Sequence, residues 1–207
     1  MLIEITGVDG AGKSTLADRL RTAVTAAGLP CSPLTLRSMG KRLLDDVAVG
    51  RGAANWRQLV SADEAEVAHA VEMVAQAHAA LHPAGSGHVL LTETYVVRWL
   101  AVAAFWDAAK LDVLAAIYGR LPTPDVSVHL DLPAAEALRR ITARPKGDRL
   151  LHGGGAERKL TRYAAAFDRV RPLLPYPQLV LSAERPVDDL VSEVAGLVPA
   201  RPCAANR

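Results

Sequence analysis

One stretch near the start of the chain decides its fold: Leu2-Ile3-Glu4-Ile5-Thr6-Gly7-Val8-Asp9-Gly10-Ala11-Gly12-Lys13-Ser14-Thr15. Residues 2–6 form a short, largely apolar run, as expected for a buried strand, and residues 7–14 match the pattern G-x-x-x-x-G-K-[ST]. The residues that follow have the apolar period of a helix. Glycines allow the loop to curl so that successive N–H groups face one anion, and the helix N-terminus adds its positive end. The stretch therefore predicts a phosphate-binding loop between a strand and a helix.

Strand and helix patterns alternate along the rest of the chain. Further strands are predicted at 32–37, 88–92, 126–130 and 179–181, and helices at 13–27, 41–49, 55–81, 96–118, 133–143, 157–174 and 187–197. This alternation is typical of a parallel sheet with helices on both faces, joined by right-handed crossovers. We therefore expect an α/β fold, a three-layer αβα arrangement around a five-stranded parallel sheet. It would form a single domain over residues 1–198, with a short basic lid at about 144–155 and a flexible tail at 199–207.

The composition limits the classes of partner. Half of the 207 residues are hydrophobic, which supplies a core and argues against intrinsic disorder. The net charge is only +2 and aromatic residues are 4%, so a nucleic-acid partner is not expected. No apolar run reaches membrane-spanning length, and the N-terminus lacks the basic region of an export signal. With only Cys31 and Cys203 as cysteines, a structural disulfide is not expected and a reducing cytoplasm fits.

The loop and the first helical turn carry the candidate nucleotide contacts. They are Gly10, Ala11, Gly12, Lys13, Ser14 and Thr15. In loops of this type the lysine reaches the β- and γ-phosphates of ATP, and the hydroxyl after it can ligate Mg²⁺. The alternative is a glycine-rich turn that binds no ligand.

Two carboxylates are candidates for the same edge of the sheet. Asp9 would be repelled by phosphate, so it is either solvated or turned towards a hydroxyl of the phosphoryl acceptor. Glu93 follows the strand at 88–92, and ligands of open parallel sheets bind beyond the carboxyl ends of the strands. It could hold Mg²⁺ or accept a hydroxyl proton. The alternative is a glutamate that caps the next helix.

A run of cations occupies the predicted lid and the helix before it. Residues 139–149 read Arg139-Arg140-Ile141-Thr142-Ala143-Arg144-Pro145-Lys146-Gly147-Asp148-Arg149. Such a run is often only a solvated face. Beside a triphosphate, however, arginines can neutralise charge that develops in the transition state. Arg144 and Arg149 are the candidates for this role.

Taken in order, these segments resemble the thymidylate kinase family of P-loop nucleotide kinases. The resemblance runs from Leu2 to about Val198 and rests on residues 6–15, on Pro124-Asp125-Val126-Ser127-Val128-His129-Leu130-Asp131-Leu132-Pro133, on Gly147-Asp148-Arg149 and on Ser182-Ala183-Glu184. It implies ATP and Mg²⁺ as cofactors, a contact from Asp9 to a sugar hydroxyl of the acceptor, lid arginines that act in transfer, an adenine-contacting loop at 182–184, and a homodimer.

The acceptor side departs from the family pattern. Where the family has Asp-Arg-aromatic after the third strand, this chain has Glu93-Thr94-Tyr95, so the arginine that grips the acceptor phosphate is missing. Where the family presents an arginine to the base, the matching neighbourhood is His69-Ala70-Val71-Glu72. Tyr95 keeps the aromatic ring as a candidate substrate contact. Arg37 and Arg98 are candidates to bind the acceptor phosphate from a new direction.

The sequence therefore predicts a kinase that moves the γ-phosphoryl group of ATP to a nucleotide, or to a related small molecule, that is not ordinary dTMP. A nucleoside or another hydroxylated metabolite is the alternative acceptor. A P-loop ATPase that acts as a switch is the alternative class. Such a switch would need an effector surface and a water-positioning residue in place of a basic lid.

Overall fold

The computed structural model describes residues 1–81, 87–144 and 154–199. Within these residues five strands form one parallel sheet: β1 (Leu2–Gly7), β2 (Cys31–Pro33), β3 (Val89–Thr92), β4 (Val126–Asp131) and β5 (Leu179–Ser182). Their order across the sheet is β2-β3-β1-β4-β5. The predicted α/β class with a five-stranded parallel sheet is confirmed.

The helices cover both faces of this sheet. They are α1 (Lys13–Ala26), α2 (Gly40–Gly50), α3 (Ala62–Leu81), α4 (Val96–Phe105), α5 (Leu111–Tyr118), α6 (Ala134–Thr142), α7 (Ala156–Val170) and α8 (Val187–Ala195). α1 packs with α8, and α4 packs with α7 and also contacts α3 and α5. In the part of the chain that the structure describes, no helix combines the length and apolar character needed to cross a bilayer.

The central strand β1 is buried along its whole length because both of its faces are covered. Ile3 pairs with Val126 of β4 on one side and with Leu91 of β3 on the other. Two polar residues interrupt the apolar run, since Glu4 and Thr6 are also buried. This pairing brings the carboxyl ends of β1, β3 and β4 to one edge of the sheet, where the predicted site lies.

Two predicted helices are each divided in the structure. The helix predicted at 55–81 is a 3-10 turn at Trp56–Gln58 followed by α3. Ser61 starts α3 through a reciprocal cap, because its hydroxyl accepts from the Glu64 N–H and the Glu64 carboxylate accepts from the Ser61 N–H. The helix predicted at 96–118 is interrupted between α4 and α5. There Asp107 has a left-handed φ of 57°.

Two other boundaries move for local reasons. The strand predicted at 32–37 is shorter, because the backbone N–H and C=O of Arg37 bond to the Gln76 side chain of α3. The helix predicted at 157–174 ends at Val170 and continues as a 3-10 turn. Pro172 lies in that turn and has no N–H to extend the α-helix.

Candidate active site

The loop between β1 and α1 is held close to α6. A Cβ placed on Gly10 would lie 2.8 Å from the carbonyl oxygen of Ala137, so only glycine fits between the loop and this helix. Gly10 also has a φ of 92°, and Gly12, which precedes α1, has a φ of 88°. Both values lie in the left-handed region, where side chains other than glycine's are strained. The glycines therefore have the structural role that the sequence predicts for an anion-binding loop.

Lys13 lies inside the curve of this loop. Its ammonium donates to the carbonyl oxygens of Gly7 and Val8, at 3.0 and 2.8 Å, and its side chain is almost fully buried. Its Nζ lies 3.8 Å from a carboxylate oxygen of Asp9. Burial lowers the pKa of Lys13 to about 8, so the side chain is still mostly protonated at neutral pH.

The structure places four other charged side chains of the prediction near Lys13. The carboxylates that raise its pKa belong to Asp9 and Glu93, and the guanidinium groups that lower it belong to Arg98 and Arg144. These residues come from the loop, from the end of β3, from α4 and from the end of α6. The predicted phosphate, acceptor and lid residues therefore converge on one edge of the sheet.

Ser14 and Glu93 are in direct contact. The Ser14 hydroxyl donates to a carboxylate oxygen of Glu93 at 2.7 Å. A hydroxyl and a carboxylate are hard oxygen donors of the kind that Mg²⁺ prefers. The donor set thus fits the predicted cation.

A cavity of about 330 Å³ opens beside the loop. Its walls are Gly10, Ala11, Gly12, Thr15, Leu16, Leu130, Arg140, Arg144, Ala183, Arg185, Val187 and Leu190. Ala183 belongs to the segment 182–184 that the resemblance assigns to adenine. The cavity therefore joins the phosphate loop, the start of the predicted lid and the predicted adenine loop.

Three residues of this region were not singled out from the sequence. Arg140 donates to the carbonyl oxygen of Ala183 and lines the cavity with Arg185. Arg140 lies four residues before Arg144, so helical spacing could have placed both on one face. The third is Tyr163 of α7, a buried residue whose hydroxyl has no hydrogen-bond partner among the residues that the structure describes.

Tyr163 lies between charges of the acceptor side. Burial raises its pKa to about 12, Arg98 lowers it and Asp9 raises it, so both side chains are near its hydroxyl. No local pattern of the sequence points to this residue. Its position beside these charged side chains results from the packing of α7 against α4.

Two predicted acceptor contacts make no hydrogen bond or ion pair with the site through their side chains, among the residues that the structure describes. Tyr95 is fully buried, and its hydroxyl donates to the carbonyl oxygen of Pro122, so its ring belongs to the core and not to the site. Arg37 is exposed after β2, and no hydrogen bond or ion pair joins its side chain to the site among the described residues. Thr94 lines a second cavity, of about 300 Å³, together with Glu93.

The α3 segment that departs from the family pattern carries no positive charge. Ala70 is in the core, and the ring Nδ1 of His69 lies 2.9 Å from the Tyr118 hydroxyl. Burial lowers the pKa of His69 to about 3, so the ring is neutral at pH 7. The Glu72 carboxylate accepts from the Ser38 hydroxyl and from the backbone N–H groups of Met39 and Gly40 at the start of α2.

Parts of the predicted lid and of the predicted tail lie outside the described residues. Arg144 is described, but Arg149 and the rest of 145–153 lie outside the described residues, as do residues 200–207 with Cys203.

No family model matches the chain. Curated proteins named "Thymidylate kinase" are similar to it. The protein of Xanthomonas oryzae pv. oryzae (strain PXO99A) is 36% identical over 151 residues, which cover 70% of this chain and 61% of the relative. That of Xanthomonas campestris pv. campestris (strain B100) is 35% identical with the same coverage. That of Mycobacterium tuberculosis (strain CDC 1551 / Oshkosh) is 32% identical over 166 residues, which cover 72% of this chain and 73% of the relative.

The chain thus spans about 61% of the length of the Xanthomonas relatives and 73% of the mycobacterial one. The similarity agrees with the strand order and the loop geometry described above. From this degree of identity and coverage, the chain belongs to the thymidylate kinase family.

Proposed function

We propose that the chain is an ATP- and Mg²⁺-dependent kinase that moves the γ-phosphoryl group of ATP to a nucleotide. The observation that carries this proposal is the convergence of Lys13, Ser14 and Glu93 at the carboxyl edge of the sheet. The relatives are named thymidylate kinase, so dTMP is the first acceptor to test.

On the donor side, the cavity beside the loop would take ATP. The loop N–H groups and the N-terminus of α1 would bind its phosphates, with Lys13 as the cation at the β- and γ-phosphates. Ser14 and Glu93 would hold Mg²⁺, which would neutralise phosphate charge when bound. Arg140 and Arg185 would border the rest of the nucleotide.

On the acceptor side, Asp9 would orient a sugar hydroxyl and Arg98 would bind the acceptor phosphate. Arg98 is partly exposed and, among the described residues, has no ion pair or hydrogen bond to occupy it. The buried hydroxyl of Tyr163 lies near both side chains. An acceptor oxygen would form the new bond to the γ-phosphorus, and the bond from that phosphorus to ADP would break.

The proposed lid at 144–155 would close this site. Arg144 and Arg149 would then neutralise charge on the transferred group and help to exclude water. The donor-side, acceptor-side and lid residues would all belong to one proposed domain, residues 1–198.

Steady-state kinetics with dTMP and with thymidine test the assignment. We expect ADP release that depends on an added acceptor. We also expect Arg98→Ala to raise the KM for dTMP by about one to two orders of magnitude, the usual size of one charge-assisted contact. Arg120→Ala is the matched control, because Arg120 is exposed before β4 at the opposite edge of the sheet. ATP turnover that is independent of any acceptor would contradict the kinase assignment and favour a switch ATPase.

A nucleoside or another hydroxylated metabolite is the second candidate acceptor. The neutral His69 ring and the Thr94 side chain favour it, because neither offers a charge to a phosphate. Faster turnover of thymidine than of dTMP would favour this alternative, provided that Arg98→Ala leaves the kinetics with thymidine unchanged.

For assembly and location we propose a homodimer in the cytoplasm, with no nucleic-acid or membrane partner. The family resemblance supports the dimer, and the small net charge of +2 supports the absence of a nucleic-acid partner. Light scattering on the purified chain distinguishes a dimer from a monomer.

A further inference from the structure

Glu4 is a buried carboxylate that the proposed chemistry does not use. It lies on β1 with no exposed surface. One of its oxygens accepts from the backbone N–H of Val97 at 3.1 Å. The other accepts from the hydroxyls of Ser127, at 3.1 Å, and Tyr176, at 3.3 Å. Each oxygen therefore has a partner, and one partner belongs to a helix backbone.

That helix is α4, which has no cap of its own. The residue at its N-cap position is Tyr95, whose side chain makes no capping hydrogen bond, and its first turn contains no acidic residue. The first N–H groups of a helix have no partner within the helix and carry its positive end, so a carboxylate placed there stabilises the first turn. Glu4 supplies this carboxylate from the sheet, through the second residue of α4.

The first turn of α4 also presents Arg98 to the site. Arg98 directly follows Val97 and lies near Lys13 and Tyr163. The strand that carries Glu4 runs on into the phosphate loop. Glu4 therefore joins the strand that ends in the loop to the helix that carries the acceptor-side arginine.

We propose that Glu4 is a positioning residue that fixes the first turn of α4, and with it the guanidinium of Arg98, relative to the phosphate loop. The part of this inference that concerns the acceptor rests on the function proposed above for Arg98. The part that concerns the helix stands on the hydrogen bonds alone.

The environment of Glu4 adds a pH dependence. Among the described residues, the groups that face it are the Val97 N–H, the Ser127 hydroxyl and the tyrosines Tyr95 and Tyr176. Burial raises the pKa of Glu4 to about 7, and the hydrogen bonds from Val97, Ser127 and Tyr176 oppose this rise. Below this pH Glu4 loses the negative charge that stabilises the helix N-terminus. Local opening of the α4 first turn should therefore become easier on acidification, although global unfolding becomes harder.

Hydrogen exchange of α4 tests the cap without any need for activity. Glu4→Met keeps much of the side-chain volume and removes both acceptor oxygens. We expect it to speed exchange at the amides of Val97, Arg98 and Trp99 by on the order of ten-fold, the usual effect of losing a cap. Glu4→Gln keeps one acceptor oxygen but not the charge, so its exchange should lie between that of the wild-type protein and that of Glu4→Met. Ser127→Ala is the matched control, since it removes a partner of Glu4 that does not belong to α4.

The wild-type protein provides a second measurement in case Glu4→Met does not fold. After correction for intrinsic exchange rates, protection of the α4 first turn should be lower at about pH 6 than at about pH 8, on either side of the Glu4 pKa. Unchanged exchange in Glu4→Met, or in the wild-type protein between these two pH values, would overturn the proposal.

A double-mutant cycle tests the link to Arg98, with dTMP as the acceptor. Glu4→Met should raise the KM for dTMP several-fold in the wild-type background, with little change in the KM for ATP. In the Arg98→Ala background it should have little further effect, because the two changes act on one contact. An equal effect in both backgrounds would show that Glu4 acts on the fold in general. If the wild-type enzyme does not phosphorylate dTMP, the function proposed for this acceptor fails, and the exchange measurement still decides the role of Glu4.

Discussion

The burial of Glu4 predicts a specific pH dependence of stability. Its pKa rises from the ordinary 4.5 to about 7 in the folded chain, so folding favours the protonated form. Each pKa unit corresponds to about 1.36 kcal/mol. The ionised carboxylate at pH 8 therefore lowers the free energy of unfolding by about 3 kcal/mol relative to the protonated acid.

Glu4→Gln isolates this effect because glutamine has similar size and no charge. The stability contributed by protonated Glu4 is fully present below pH 4.5 and is lost as the pH rises towards 7. The free energy of unfolding of Glu4→Gln minus that of the wild-type protein should therefore increase by about 3 kcal/mol from about pH 4.5 to pH 8. Any constant difference in packing between the two side chains cancels in this comparison.

Two buried histidines also make stability depend on pH, but Glu4→Gln and the wild-type protein both contain them. Burial lowers the pKa of His69 to about 3 and that of His129 to about 4. Both histidines therefore destabilise the fold as the pH falls below their ordinary value of 6.5, in the mutant and in the wild-type protein alike. The difference between the two proteins removes this contribution.

Urea unfolding at a series of pH values measures the difference directly. Glu184→Gln is the control, since Glu184 is exposed and its change should leave the pH profile almost the same. A difference between Glu4→Gln and the wild-type protein that stays constant from pH 4.5 to pH 8 would refute the argument that burial governs the ionisation of Glu4.

Two further predictions concern the phosphate loop. Lys13→Ala should lower phosphoryl transfer to dTMP by on the order of 10² to 10³ while the circular dichroism spectrum stays native, and near-normal turnover would contradict the donor assignment. Gly10→Ala should destabilise the fold by about 1–3 kcal/mol in thermal unfolding, because its Cβ would meet the Ala137 carbonyl at 2.8 Å in a left-handed backbone. Gly52→Ala is its control, with a similar φ of 78° and no heavy atom within 4 Å of the added Cβ, so equal losses would exclude the close contact as the cause.

The fold was predictable because its signals are local. The alternation of apolar strands and amphipathic helices fixes the parallel sheet, and the segment 7–15 fixes the loop. One error came from a side chain that is distant in the sequence, since Gln76 of α3 binds the backbone at Arg37. Another came from a local signal that the apolar period hides, since Ser61 starts a new helix through its reciprocal cap with Glu64.

The candidate site was predictable only in part, for the same reason. Glu93 could be placed because it follows a strand, and Arg144 because it belongs to the run of cations. Arg98 could be placed because it lies one helical turn after Thr94. The role of Tyr95 could not be predicted, because an aromatic residue next to a motif gives the same pattern whether it packs in the core or faces the site. Tyr163 has no local signal in the sequence. Only the packing of α4 and α7 shows that Tyr95 bonds to the Pro122 carbonyl and that the Tyr163 hydroxyl lies near charged side chains.

The donor half and the acceptor half of the proposed site differ in how a substitution would affect them. The donor half is built mainly from one contiguous segment, and its geometry depends on glycine backbone angles and on close packing against α6. A substitution there alters the loop itself.

The acceptor half is built from side chains on α4 and α7 and from the end of β3, each held by its own contacts. Arg98 is held relative to the loop through the hydrogen bond from the Val97 N–H to Glu4 of β1, and not through the loop backbone itself. A chain of this architecture can thus exchange its acceptor contacts while its phosphate loop stays intact.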